Sequence, residues 1–197
     1  MHRRRLLQAT GLSLVAAALA PAAAALDAEA ARAHVRSAVD EVLALVKKDA
    51  STAQKAEELR AILDEYAALP QIARFAAGLA WRDMSGQQQE RYTDAFAHYI
   101  SVVYARRFQE YSGQTVDIGG VSDGGRRGLL VSSTVTQPQG DPVLVEWLVS
   151  DRPGRTVIAD IVIEGVSMLV TQREEVGAMI EARGGDIDQL ITDMKAA

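Results

Sequence analysis

The chain has 197 residues, of which 48% are hydrophobic and 24% are charged, a composition typical of a globular protein with one domain. Its net charge is −5, and a net-acidic chain without a basic run argues against nucleic acid and anionic lipid surfaces as partners. Because the chain contains no cysteine, disulfides, thiolate metal sites and a cysteine nucleophile are excluded.

Residues 1–25 have the features of an export signal. A basic start at Arg3–Leu7 precedes a short apolar stretch, and small alanines follow Pro21, as cleavage by a signal peptidase requires. The same basic start fits a twin-arginine signal, so the sequence leaves the Sec and twin-arginine routes open. No later stretch reaches the about 18 to 20 apolar residues that span a bilayer. We therefore predict a mature protein that is free in the periplasm.

Residues 27–112 are predicted to form the helical half of the mature chain. Of the 33 alanines, 28 lie at or before Ala105, and alanine is the strongest helix former. Four helices are expected, because four segments carry residues that cap a helix or fix its first turn. These start signals are Asp27, Ser51 with Gln54, Pro70, and Ser85 with Gln88.

The following segment is predicted to form a sheet. Residues 114–165 contain one alanine and nine valines, and their apolar residues alternate with a period of two. The four predicted strands are residues 115–121, 128–136, 143–150 and 156–164. Short turn-rich links between them favour an antiparallel meander. Closing helices over about 172–195, one of them capped by Thr171, complete a single α+β domain over residues 26–197.

The mature chain offers few candidates for catalysis or metal binding. A nucleophile-elbow pattern at Gly120–Gly124 leads into another strand instead of a helix, which favours a hairpin turn. His34 and His98 are the only histidines after the leader, and two histidines without cysteine argue against a transition-metal site. We therefore predict no enzyme and no cofactor. One alternative stays open, an isomerase- or esterase-like enzyme that uses Asp160 with Tyr99.

The stretch Asp160–Met168, a strand that runs into Glu-Gly-Val-Ser, resembles the MlaC, or toluene-tolerance, family of periplasmic phospholipid-binding proteins. Other segments follow in an order and spacing similar to the family's. These are Ile72–Gly78, Trp81 with Arg82, Gln87–Gln89, Phe96, Tyr104, Tyr111–Gly113, Gly184 with Gly185, and Asp188–Ile191. The chain departs from the pattern at Ala80, where relatives often carry an aromatic residue.

The resemblance implies both a fold and a function. The fold would be a nuclear-transport-factor-like roll with a helical subdomain, built on the four-stranded antiparallel sheet, with the acyl chains of a phospholipid in its interior. The function would be to shuttle phospholipid between the inner and outer membranes in the outer-membrane lipid asymmetry system. Its partners would be an inner-membrane ABC transporter complex with an MCE-domain protein and an outer-membrane lipoprotein complex.

Within that frame, nine side chains on the apolar faces of the long helix, the sheet and the segment after it are expected to line the lipid cavity. They are Tyr99, Val103, Val131, Val145, Trp147, Ile161, Ile163, Val166 and Met168. Arg82, Arg106 and Arg107 are further candidates for contact with the headgroup. Two alternatives stay open, namely that these apolar residues form plain core packing and that the protein is an envelope adaptor without a ligand.

Overall fold

The computed structural model describes residues 26–197, so the predicted export signal at residues 1–25 lies outside the described part. The helices are α1 (Ala28–Lys47), α2 (Thr52–Tyr66), α3 (Leu69–Ala77), α4 (Ala80–Asp83), α5 (Gly86–Arg107), α6 (Met168–Glu181) and α7 (Ile187–Lys195). Within residues 26–197, none of them combines the length and the hydropathy needed to cross a membrane.

The first helices begin at the predicted capping residues. Asp27 accepts a hydrogen bond of 2.7 Å from the backbone N–H of Ala30 at the start of α1. Ser51 and Ser85 each form a complete capping box with the glutamine three residues further on. These caps satisfy backbone N–H groups that have no partner inside the helix, which is why α1, α2 and α5 start where the sequence indicates.

The closing helix α6 begins earlier than predicted. The expected cap at Thr171 is wrong, because Ser167 caps the helix and its hydroxyl accepts the N–H of Val170 at 3.2 Å. Thr171 instead lies inside the first turn, where its hydroxyl donates to the carbonyl of Ser167 at 3.1 Å. The helix therefore follows the sheet without an intervening loop.

The sheet is a five-stranded antiparallel meander in the order β1 (Thr115–Asp123), β2 (Leu129–Thr136), β3 (Val143–Ser150), β4 (Val157–Ile163) and β5 (Val166–Ser167). The predicted α+β class and antiparallel sheet are confirmed. The predicted number of four strands is wrong, because β5 returns along β4 and pairs with its last two residues.

The turn between β4 and β5 consists of Glu164 and Gly165, which both have positive φ angles, 49° and 81°. A two-residue hairpin with positive φ at both positions is a type I′ turn. The N–H of Glu164 donates to the carbonyl of Leu144 at 3.0 Å, and the N–H of Leu144 donates to the Glu164 carboxylate at 2.5 Å. The side chain of Glu164 thus holds the turn against β3, which offsets the strain of a left-handed residue that is not glycine.

The hydrophobic interior consists of separate clusters. In the first, the sheet core, α1 packs on one face of the sheet and buries Ala31, Val35, Ala38, Val39, Val131, Val149 and Ile158. In the second, the helical core, α3, α5, α6 and α7 bury residues that include Tyr92, Phe96, Val176, Leu190, Ile191 and Met194. The protein therefore has one apolar interior on the sheet and another among the helices.

Hydrogen bonds to backbone carbonyls, from one backbone N–H and one arginine side chain, tie the helices to the edge of the sheet. The N–H of Ala68, just after α2, donates to the carbonyl of Ile158 in β4 at 2.9 Å. Arg155, in the turn before β4, donates to the carbonyls of Asp64 at 2.8 Å and Ala67 at 3.1 Å, and also to that of Glu65. Carbonyls at a helix C-terminus attract a cation.

The nuclear-transport-factor-like roll itself stays a prediction.

Candidate functional site

Six of the nine predicted lining residues lie on one face of the sheet. Val131, Trp147 and Ile161 form one row across β2, β3 and β4, because they are directly paired in the antiparallel register. Val145, Ile163 and Val166 form the next row across β3, β4 and β5. Paired residues share a face, and so do residues two apart on one strand. The structure therefore brings these six side chains into one apolar surface.

This apolar face is only partly covered. Val131 and Val145 are buried, and Val131 belongs to the sheet core under α1. Trp147, Ile161 and Ile163 are half-buried, and Val166 is 55% exposed. Exposure thus increases from β2 towards β5. A row of accessible apolar side chains beside a filled core is a surface onto which an apolar ligand can be added.

The indole of Trp147 has its polar atom satisfied inside the protein. Its Nε1–H donates to the Ser133 hydroxyl at 2.8 Å, and that hydroxyl donates to the carbonyl of Val145 at 3.3 Å. Ser133 is buried on the same face of the sheet. Because the indole N–H has its partner there, the ring of Trp147 is held in place and can meet an apolar group without leaving a donor unpaired.

The predicted residues of the long helix lie on the helical side. α5 packs mainly against α2, α3 and α7. Tyr99 is half-buried at the margin of the helical core, and Val103 is half-buried one turn further on. The structure therefore places Tyr99 with the helical core and the six sheet residues on the sheet, whereas Val103 is half-buried on α5 outside both clusters.

Met168 is the first residue of α6 and is half-buried. Its position is set by Asp160 in β4. The buried Asp160 carboxylate accepts the N–H of Leu169 at 3.0 Å and the hydroxyl of Ser167 at 2.6 Å, and it also accepts the N–H of Ile161 at 2.8 Å. Its two oxygens are therefore engaged in holding the start of α6.

These contacts bear on the enzyme alternative, which required Asp160 to face a pocket together with Tyr99. Asp160 alternates with Ile161 along β4, so its side chain lies on the face opposite to the apolar rows. All the hydrogen bonds of its carboxylate go to the backbone and to Ser167 within the protein. We find a structural role for Asp160 in this arrangement and no geometry for proton transfer to a ligand.

The other candidates for chemistry are accounted for by structure. Ser122 of the elbow pattern lies within β1 and pairs with Leu130, as expected for a hairpin and not for a nucleophile elbow. His34 Nε2 lies 3.1 Å from the carbonyl of Tyr66. In residues 26–197, no group of three or more acidic, histidine or cysteine side chains could hold a metal ion.

Three tyrosines of the helical half, Tyr66, Tyr92 and Tyr104, have pKa values raised above the usual one. Burial raises the pKa of Tyr92, whose hydroxyl has no hydrogen-bond partner within residues 26–197. Burial also raises the pKa of Tyr104, against the opposing effect of Arg107. The hydrogen bond from Tyr66 to Glu41, 2.6 Å long, raises the pKa of Tyr66 to about 12. None of these phenols is poised to act as a base.

Two concavities, of about 340 Å³ and 560 Å³, lie among the helices. The smaller lies between α3, α4 and α6, and the larger lies between α4, α5 and the start of α7. Neither is lined by any of the nine predicted residues. Of the arginines expected at a headgroup, Arg82 lines the smaller concavity, whereas Arg106 and Arg107 are exposed at the end of α5.

The comparison with protein families decides the relationship that the sequence motifs suggested. The family model described as MlaC protein matches residues 36–196. The chain belongs to the MlaC family. The match includes the five strands, α2 to α7 and most of α1, so the resemblance read from Asp160–Met168 and the upstream segments is confirmed over residues 36–196.

A solved structure supports the MlaC assignment at the level of the fold. It is the phospholipid-binding protein from Ralstonia solanacearum in complex with a phospholipid, and it is 26% identical to this chain. The match covers 84% of this chain and 95% of that one, with a TM-score of 0.66. The similarity therefore extends over nearly the full length of a protein that was solved with phospholipid bound.

The sequence gives no prediction for the structural roles of two residues that position predicted lining residues. Ser133 accepts the hydrogen bond that holds the indole of Trp147. The sequence feature that could have indicated this role is a polar residue at an inward-facing position of β2, between Val131 and Val135. From the sequence, the side chain of Asp160 has a role only as the acid or base of the enzyme alternative, whereas in the structure its carboxylate holds the start of α6. Its signal is an acidic residue in an otherwise apolar strand a few residues before a helix start, where a carboxylate can accept backbone N–H groups.

Proposed function

We propose that this MlaC-family protein is a periplasmic phospholipid carrier that shuttles lipid between the inner and outer membranes. The observation that supports it most is the family match over residues 36–196, together with the similarity to a protein solved with a phospholipid. On this proposal the nine predicted residues contact the acyl chains, and the inner-membrane MCE-domain transporter complex and the outer-membrane lipoprotein complex load and unload the carrier.

The energetics of acyl chains define what such a carrier must do. Two chains with about 30 carbons in total, at about 0.8 kcal/mol per CH₂, would cost about 24 kcal/mol if they were exposed to water. The carrier must therefore cover nearly all of them. Transfer from a bilayer into an apolar protein site is close to neutral by comparison, so loading and release can be reversible without a chemical step.

The division of the interior suggests where the chains go. Trp147 and Ile161 lie at the margin of the sheet core, and Tyr99 lies at the margin of the helical core. On this proposal the acyl chains enter between these margins, so the two cores move apart while each keeps its own packing. The half-buried state of these three side chains supports the proposal, because they gain apolar contacts when a chain is added.

The test is to measure phospholipid in protein purified from the periplasm. Organic extraction followed by mass spectrometry should find phospholipid well above the amount in an unrelated periplasmic protein purified in the same way. Absence of that excess would contradict lipid binding. Transport is tested separately, by following a labelled phospholipid from donor vesicles to acceptor vesicles with and without the protein. A protein that holds lipid but never transfers it would contradict the carrier role.

A matched pair of variants in β4 tests the site. Ile163 and Val162 are consecutive, half-buried apolar residues whose side chains lie on opposite faces of the strand. Ile163→Gln places an amide among the acyl chains, where an unpaired polar group costs about 1 to 3 kcal/mol, so retained lipid should fall severalfold. Val162→Gln should leave the lipid content unchanged. Equal lipid loss in two folded variants would contradict the proposed face.

A further inference from the structure

The smaller concavity, of about 340 Å³, has an unusual combination of side chains on its surface. It is rimmed by three arginines, Arg74 of α3, Arg82 of α4 and Arg173 of α6. Between them lie Phe75 and Leu79, which are 36% and 70% exposed. We call this surface the arginine pocket. The arginine pocket therefore combines three cationic side chains with two of the exposed large apolar side chains that the structure describes.

The three guanidinium groups are available to an external anion. All three side chains are exposed, and within residues 26–197 none of them forms an ion pair or a hydrogen bond. Other arginines of the same chain, such as Arg60 and Arg183, are paired with aspartates. In a chain whose net charge is −5, three unpaired arginines at one concavity are a local positive site on a negative protein.

The apolar part of the pocket is held in shape by the arginines and by the backbone. The Arg173 guanidinium lies over the ring of Phe75, 5.0 Å from its centroid, which fixes the plane of the ring. Gly78 ends α3 with a φ angle of +60°, a backbone conformation that glycine adopts without strain, and the chain turns there before the exposed Leu79. The exposed leucine is thus presented by a defined turn and not by a flexible loop.

The pocket and the exposed end of the apolar rows are connected along the chain by the first turns of α6. Val170 precedes Arg173 by one helical turn of α6 and is 47% exposed. Val166, which is 55% exposed in β5, lies just before the start of the same helix. The arginine pocket and the most accessible end of the apolar rows therefore both adjoin the N-terminal part of α6.

We propose that the arginine pocket is a docking site for an acidic segment of a partner protein, in which one apolar side chain packs on Leu79 and Phe75 and flanking carboxylates bind the arginines. Guanidinium groups bind carboxylates in a bidentate geometry, and charged rims with an apolar centre are typical of specific protein contacts. The concave shape and the negative charge of the whole chain favour a protein segment over a flat anionic bilayer. The proposal goes beyond lipid carriage and does not require bound lipid.

The test uses isothermal titration calorimetry with a synthetic peptide in which glutamates flank leucines, and with a matched peptide that carries glutamines in their place. The full mature protein should bind the acidic peptide, with an affinity that falls as salt is raised. Arg74→Glu and Arg173→Glu should each weaken binding by about fivefold or more, because they convert attraction into repulsion. Arg126→Glu, which makes the same charge change in the turn before β2, should not alter the affinity.

Three outcomes would overturn the proposal. The first is equal binding of the two peptides, and the second is equal weakening by Arg126→Glu and by the pocket variants, since either would show that the pocket is not specific. The third is that neither peptide binds while the protein sediments with phosphatidylglycerol vesicles and the Arg74→Glu variant does not. The occupant of the pocket would then be a membrane. Phospholipid extracted from the same samples is measured in parallel, so a failure of docking is distinguished from a failure of lipid binding.

Discussion

The helical core and the apolar rows of the sheet are built from similar residues but are packed to different degrees. Tyr92 and Phe96 are fully buried among α3, α5, α6 and α7. Along the sheet rows, burial decreases from Val131 to the exposed Val166. The first region has the contacts of a finished protein interior, whereas the second has apolar surface without a partner. The difference separates residues that hold the domain together from accessible apolar residues that, on our proposal, contact a ligand.

Truncation in the helical core should have the largest effect on stability. Phe96→Ala removes a fully buried ring and should lower the free energy of unfolding by about 3 to 5 kcal/mol, measured by urea denaturation. Val166→Glu, at the exposed end of the rows, should change it by less than about 0.5 kcal/mol while reducing the retained phospholipid. Similar losses of stability in the two variants would show that the rows belong to the structural core.

An intermediate effect is expected at Asp160, which connects the two regions by holding the start of α6. Asp160→Ala removes the acceptor for the N–H of Leu169 and the hydroxyl of Ser167, and should cost about 1 to 3 kcal/mol in the free energy of unfolding. Asp160→Asn keeps one acceptor oxygen and should recover part of that loss. Retention of phospholipid by the folded asparagine variant would agree with a structural role for Asp160. Loss of phospholipid exchange without any change in the free energy of unfolding would contradict that role.

The smallest effect concerns the acid dependence of stability in the helical half. The hydrogen bond from Lys195 to Asp94, 3.0 Å long, holds the pKa of Asp94 below its usual range, and Arg60 at 3.4 Å adds to this. A lowered pKa in the folded state stabilises the fold above the unfolded pKa of about 3.9, and this contribution is lost as the pH falls through the folded value.

The corresponding variant is Asp94→Asn. It should lower the melting temperature slightly at neutral pH, and its difference from the unaltered protein should shrink as the pH falls below the unfolded pKa of about 3.9. Asp141→Asn, in the exposed loop between β2 and β3, serves as the control and should show no such convergence. A constant difference at every pH would contradict the proposed ion pairing at Asp94.

Most of the fold could be predicted because its signals are local. The capping boxes at Ser51 and Ser85 fixed the starts of α2 and α5, and the alternation of valines fixed β2, β3 and β4. The fifth strand could not be found in this way, because Val166–Ser167 is too short to show a period. Its turn was also concealed, since Glu164 is not a residue type that indicates a positive φ angle.

For the site, the alternation along each predicted strand correctly grouped five residues, Val131, Val145, Trp147, Ile161 and Ile163, on one face, because the period of two leaves no freedom in the direction of a side chain. Val166 joins that face through β5, which was not predicted. The relation of Tyr99 and Val103 to that face could not be derived. It depends on how α5 packs against α2, α3 and α7, and no local pattern encodes the distance between two layers. The arginine pocket was missed for the same reason, because Arg74, Arg82 and Arg173 come from three different helices.

The protein contains two tryptophans, and they lie at different surfaces. Trp147 is held by Ser133 on the half-buried sheet face, and Trp81 lines the arginine pocket. Replacing either one by phenylalanine leaves a single tryptophan, whose emission can be excited selectively over that of the tyrosines. The emission of one variant then reports an acyl chain at the sheet, while the emission of the other reports a molecule in the pocket. Lipid loading and partner docking can thus be followed as two optical signals without an added label.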